Sequence, residues 1–463
     1  MEMKNIAVSI VVLSCLVSVL PSCRKNPEPT PGPDSGQTET EKTKKDFKNP
    51  ELDPHPLVDY TKWSIHDGKF WLDGKWVFVK TAKPLTDYSS ADNCQKVINM
   101  LDKLRSKYYN AVSINCYWHH FDKDGDGEID FDLAPLNRLI NAIYSRGMYP
   151  CLCVETYSVG GGSIAEPFWE RYPDAFAVDS DGKKTYDTEY GFGSKVVSIF
   201  HKGYREAEHK YIENLAKGLG DNIKKILYFE TTVEPQYMGD RYLCYSESAK
   251  EAYAEWRKKN NITDKASEMP SSFPIDNTFI KNATWNKFRA QALAEWINED
   301  AAVWRSVAGK DAYVAVDYLD TITEESMIRR DGNPEEFLRA LTCPNIIQLN
   351  WHWHGNGPNQ AGYDRLWKII KETGRDWAVS EHMTFGGSSG GSNADQVIDA
   401  ILLNTLTQGT RFGWDFTNTF NRNDDSFSLY NDDWSPKRVM KNVDNYWGWW
   451  LYQMDKIEKE KKK

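Results

Sequence analysis

The chain is 463 residues long with a formal net charge of −10, which argues against a nucleic-acid partner, since phosphate binding needs a basic face. That length exceeds what one small core requires but suits a barrel carrying insertions. Aromatic residues make up 13%, including 18 Trp and 24 Tyr; such a wealth of rings suits either a large core or a cleft that stacks on flat apolar ligand faces.

The chain begins MEMKNIAVSIVVLSCLVSVLPSC. Lys4 precedes an apolar run from about Ile6 to Leu20, too short for a comfortable membrane span and of the length of a signal-peptide core. Leu20-Pro21-Ser22 before Cys23 is similar to a bacterial lipobox. The similarity implies a signal peptide over 1–22 and a lipid-carrying Cys23, which would anchor the chain to a bacterial membrane, periplasmic or cell-surface, without spanning it. An ordinary secretory signal with a chance cysteine is the alternative. Residues 23–60 are rich in Pro, Thr, Glu and Lys with little apolar surface to bury, so they read as a flexible tether.

From about residue 63, short β-rich runs alternate with longer amphipathic stretches. The predicted strands are Trp76–Lys80, Ala111–Cys116, Pro150–Val154, Ile226–Glu230, Ala312–Asp317, Ile346–Asn350, Trp377–Ser380 and Arg411–Trp414. They are short and largely apolar, as strands covered on both faces should be. Helices are predicted over Ala91–Lys107, Leu136–Ser145, Gly203–Leu219, Asn286–Ala308, Pro334–Leu341, Tyr363–Thr373 and Ala394–Thr407. This alternation predicts an α/β fold, a single (β/α)8 barrel with loop insertions over residues 61–456, followed by a frayed tail over 457–463. An open doubly wound sheet is the alternative, disfavoured because no GxGxxG or GxxxxGK[ST] follows the first strand. Residues 238–285 form a long insertion, expected over the barrel mouth. Cys94, Cys116, Cys151, Cys153, Cys244 and Cys343 show no metal-type CxxC spacing and read as buried free thiols.

Barrel enzymes keep their chemistry at the C-terminal strand ends. There the sequence offers Tyr117-Trp118-His119-His120, Glu155, Glu230 and Glu234, Asp317 and Asp320, Trp351-His352-Trp353-His354, Glu381-His382, and Trp414-Asp415. Carboxylates, histidines and tryptophans collect there, and lysines do not. Two carboxylates facing each other across a mouth are what glycosidic cleavage needs: one protonates the leaving oxygen, and the other attacks the anomeric carbon or activates a water. Trp118, His119, Glu155, Glu230, Trp353, His354 and Trp414 are the expected substrate-binding residues, with a core tryptophan as the alternative reading of Trp414. The HxH at 352–354 admits a zinc reading, but barrel amidohydrolases place that motif after strand one, where this chain has Thr81-Ala82-Lys83. In the stretch DKDGDGEID, Asp122, Asp124 and Asp126 with Gly127 match the start of a calcium loop, although Leu133 stands where its last carboxylate belongs. The reading is a structural Ca²⁺ or a polar turn; no other cofactor is expected.

The segment AEPFWERYPDAFAVDSDGKK, a Gly-rich stretch, and Tyr204-Arg205 opening a helix together resemble the barrel domain of family 42 β-galactosidases, within clan A of the glycoside hydrolases. The run LNRLINAIYSRGMYPCLCV is similar to that family's second helix and third strand. The resemblance covers roughly residues 75–420. It implies a retaining two-carboxylate mechanism on β-linked oligo- or polysaccharides, with Glu234 of Val233-Glu234-Pro235 as acid/base and Glu381 as nucleophile. Glu230 is the rival acid/base. Clan A usually places Asn before the acid/base, and here that residue is Val233. A catalytically silent carbohydrate-binding barrel is therefore the alternative function, and a metal-dependent hydrolase the third.

Overall fold

The structure, a computed structural model, describes residues 57–66, 69–77, 79–107, 109–157, 164–187, 193–238, 242–270, 283–318, 329–353, 368–373, 376–384, 413–417 and 434–435. In the strand segments 348–353, 376–384 and 413–417 it describes the backbone alone. These residues lie within one compact unit, Phe47–Lys463. The expected signal peptide, Cys23, most of the tether and the tail lie outside the described residues.

Eight parallel strands close into a barrel: β4 (Val79–Lys83), β5 (Ala111–Tyr117), β6 (Tyr149–Glu155), β7 (Phe229–Glu230), β8 (Val314–Tyr318), β9 (Ile346–Trp353), β10 (Asp376–Thr384) and β11 (Gly413–Thr417), with β11 pairing back onto β4. The barrel is the one expected, but its first strand is displaced. It begins at Val79 and carries Lys83 at its end, whereas Trp76 and Val77 belong to a separate antiparallel meander of β1 (Trp63–His66), β2 (Lys69–Leu72) and β3 (Lys75–Val77). Asp73 and Gly74 both have positive φ, at 48° and 72°, which is what a two-residue hairpin turn of the favoured hand needs.

The meander closes the N-terminal end of the barrel. Trp63, Phe70 and Val77 pack with Val79, Ala111, Tyr149, Leu227, Tyr313 and Ile346, all at or just before the starts of barrel strands. Trp63 meets Tyr149 edge-on at 5.2 Å, and Tyr60 lies 4.7 Å from Tyr313. Upstream of the meander, the backbone of Val58 donates to Lys224 O and the Tyr60 hydroxyl to Ile226 O.

The helices follow from apolar spacing and caps. Ala91–Ser106 buries Cys94, Val97, Leu101 and Leu104 along one face, and its N-cap Ser90 accepts from Asn93 N. Lys202–Gly218 starts at His201, whose ring accepts from Tyr204 N, and packs beside Ala283–Ala308. The insertion is described over 242–270; it carries the helix Glu247–Lys259 and ties back at Tyr245 N to Val178 O. The six cysteines from Cys94 onward are all free, and all but the half-buried Cys343 are buried. Among the described residues, no helix is long and apolar enough to cross a membrane.

Candidate active site

At the C-terminal strand ends, polar side chains replace the apolar filling. Asn115 of β5, Cys153 of β6 and Glu230 of β7 are register partners, so they share one rung and one face of the sheet. Glu155 lies two residues further along β6, about 6.6 Å higher, and its Oε1 accepts from Asn115 Nδ2 at 2.8 Å. Glu230 is fully buried; its Oε1 accepts from the Cys153 thiol at 3.2 Å and lies 3.6 Å from Lys83 Nζ. Among the described residues, Glu230 Oε2 and the hydroxyls of Thr231 and Thr232 are buried without a hydrogen-bond partner. Such atoms are uncommon in a folded core, and an ordered water or a polar ligand at this end of the barrel would satisfy them.

Glu234 lies four residues beyond Glu230, past the strand. It is buried, and its φ of 47° puts it in the left-handed region. A side chain other than Gly is strained in that conformation, which persists where a turn or the surrounding structure imposes it, functional sites included. Val233, standing where an asparagine was expected, is packed into the apolar core.

Several sequence expectations change. Trp118 is not a cleft residue. It opens a single helical turn, Trp118–Phe121, is fully buried, donates to Asp122 Oδ2 at 2.7 Å and stacks on Tyr211 with ring centres 5.9 Å apart. An aromatic directly after a strand can turn outward into the helix layer as readily as inward, and here the packing of Tyr211 and Phe168 decides. His119 is half-buried beside Tyr117 and His120, and burial lowers its pKa to about 4, so it is neutral at ordinary pH. Its neighbour His120 lies 3.5 Å from Asp87.

β9 runs through Trp353 and β10 through Thr384, so Trp351, His352, Trp353 and Glu381 lie within strands rather than after them. Apolar runs end in the sequence where the barrel turns polar, before the backbone pairing ends. The β9–β10 register slips between Val379 and His382, so Glu381 occupies an irregular stretch; such bulges are over-represented next to active sites. By backbone register Trp353 pairs with Thr384, and Trp414 pairs with Val379 and Lys80. His354 and Asp320 lie outside the described residues.

The 122–130 loop is built around Asp122, whose buried carboxylate accepts from the backbone of Asp124, Gly125 and Gly127 and from Trp118. Carboxylate oxygens of Asp122, Asp124 and Asp130 come within 4.8 Å of one another. Asp126 is not one of this group; Asp130 takes its place, because the turn aims Asp126 Oδ1 at Glu128 N instead.

Lys83, Asn115 and Cys153 were not foreseen. Ser113 and Asn115 at alternate positions of an apolar strand are the signal that could have found Asn115. Lys83 was hidden by the misplaced first strand.

Eight parallel strands closed into a barrel, with acidic residues at the C-terminal rim, make this a TIM barrel, a fold shared by the solved glycoside hydrolases it superposes on. More particularly, the chain resembles the barrel of family 42: the family's profile, described as Beta-galactosidase, matches residues 93–269, less than half of the chain. A β-galactosidase of that family from G. stearothermophilus superposes with a TM-score of 0.61 at 13% identity, over 82% of this chain and 57% of its own. The β-galactosidase from the psychrophilic Marinomonas ef1 gives 0.60 at 12% identity, over 80% and 59%. The catalytic domain of a β-amylase from Paenibacillus polymyxa gives 0.59 at 14%, over 80% and 97%. The chain thus spans less than two thirds of these β-galactosidases. No curated protein matches it in sequence.

Proposed function

We propose that this protein hydrolyses β-linked glycosides at the barrel mouth by double displacement, with Glu381 as nucleophile and Glu234 as acid and then base. The observation that carries the reading is the division of labour after the fourth barrel strand. Glu230 lies on the lower rung against Lys83 and Cys153, while Glu234 is held above it on a left-handed backbone. Glu155 and His119 serve as rim contacts for sugar hydroxyls; Trp353, His354 and Trp414 are proposed substrate contacts from the sequence alone. The family resemblance favours β-galactosides among substrates.

The test is hydrolysis of a panel of aryl β-glycosides and β-glycans by wild type, Glu234→Gln and Glu381→Gln. Each variant should lose at least about a hundredfold in kcat/KM, and the first-formed sugar should keep the β anomer by NMR. Full activity in either variant removes that assignment.

A second reading, a binding barrel without turnover, is favoured by one observation: Val233 is buried in apolar packing and offers a sugar no hydrogen bond. Binding without product across the whole panel would select it. The proposal also includes lipid attachment at Cys23 on a bacterial membrane and a structural Ca²⁺ at Asp122, Asp124 and Asp130.

A further inference from the structure

Behind the rim, the helix Lys202–Gly218 carries a carboxylate that the proposed chemistry does not use. Glu208 is fully buried, and both its oxygens are taken. Oε1 accepts from Thr156 Oγ1 at 2.6 Å and Tyr204 OH at 2.8 Å. Oε2 accepts from Trp296 Nε1 at 2.9 Å and from Arg205 Nη1. Arg205 is itself shared with Asp300 at 3.4 Å and Glu299 at 2.8 Å. Burying such a charge is expensive, and an apolar cluster of the same volume would often hold two helices together as well.

The distinctive contact is the one to Thr156. This residue directly follows Glu155, and its carbonyl also lies 3.3 Å from Tyr204 OH. The backbone leaving β6 is therefore tied to the helix through the Thr156 side chain, with its carbonyl beside the Tyr204 hydroxyl, whose one proton goes to the nearer Glu208. On the barrel side, Asn115 donates to Glu155 Oε1. Glu155 is thus fixed from two directions, one inside the barrel and one in the helix layer.

We infer that Glu208 is a positioning residue, setting the height and direction of Glu155 at the rim through Thr156, so that Glu155 can accept hydroxyls of the bound sugar. The inference rests on the proposed function for the role of Glu155, but the Glu208–Thr156 coupling is testable without it.

The variants are Thr156→Val, which removes the donated proton at nearly constant shape, and Thr156→Ser, which keeps it. Glu208→Gln and Glu155→Gln complete the set. With p-nitrophenyl β-D-galactopyranoside, Thr156→Val should raise KM by about tenfold with kcat changed less, the scale expected when a positioned group drifts. Thr156→Ser should restore it. In the Glu155→Gln background, Thr156→Val should add nothing, because both changes remove the same interaction. Additive losses overturn the inference and leave Glu208 as a staple between helices.

Amide hydrogen exchange of the full chain, followed at residues 152–157, provides the measurement independent of substrate. Thr156→Val and Glu208→Gln should speed exchange there, and Thr156→Ser should not. Unchanged exchange in both variants overturns the inference even if the enzyme is active. A wild type that neither binds nor cleaves any glycoside, with the exchange pattern as expected, sinks the proposed function and keeps the positioning role.

Discussion

Glu230 and Glu234 illustrate how two carboxylates of one short segment can be asked to do different work. Lys83 and Glu230 are at most 1% exposed and 3.6 Å apart. Removing one partner of such a buried pair leaves the other charge poorly compensated, at a cost of up to about 3–5 kcal/mol. Glu230→Gln should therefore lower the melting temperature sharply as well as any activity. Glu234→Gln should abolish activity while costing less stability, since Glu234 is not part of the Lys83–Glu230 pair. Thermal unfolding of the two variants side by side checks this; equal losses of stability would show that Glu230 has no special structural role. The resemblance to clan A pointed to Glu234 after the fourth apolar run, but the sequence could not reveal the buried lysine. That pairing joins residues 147 positions apart from one another by neither pattern nor motif; it exists only because strands one and four of the barrel face one interior.

Among the elements, those with a strong period were legible and those set by pairing were not. The helix over 91–106 shows its apolar face in the sequence, and it forms there. The ends of β9 and β10 were hidden, because a strand at a barrel rim continues to pair after its side chains have turned polar. The meander was missed although Asp67-Gly68 and Asp73-Gly74, set between short runs with apolar residues, are hairpin signals. The loop at 122–130 was half legible: its Asp and Gly spacing was plain, but the exchange of Asp126 for Asp130 depends on how the turn closes. Asp122→Ala takes the acceptor from four N–H groups at once, and the unfolding free energy should fall by about 2–4 kcal/mol. Calcium against EDTA should shift the melting temperature of wild type but not of Asp122→Ala; no shift in wild type would remove the cation from the proposal.

For the whole molecule, buried acids set the pH response of stability. Asp331 is fully buried and accepts from Tyr318 OH at 2.6 Å, yet loss of solvent raises its carboxyl from 3.8 to about 7. Asp300, buried beside Glu208, is raised for the same reason. A raised folded pKa means the native state holds protons that the unfolded chain releases. Their contribution is complete below about pH 4 and is lost as pH climbs through about 7. His119 acts in the opposite sense: its lowered pKa favours the native state above the ordinary histidine range and loses that contribution as pH falls toward 4. Being half exposed, it carries less weight. Melting temperature should therefore decline between pH 5 and pH 8, and Asp331→Asn should flatten the profile. A wild-type profile that rises over that interval would contradict the buried-acid account.

The meander has a practical geometric meaning. Residues 57–60 approach the barrel at its N-terminal end, where Val58 and Tyr60 bond to Lys224 and Ile226, while the candidate rim lies at the opposite end. A label, bead or sensor chip coupled upstream of residue 57 thus grips the molecule by its closed floor. Immobilised that way, the protein should capture long glycans from solution as freely as short ones, whereas coupling through the rim would admit only the short.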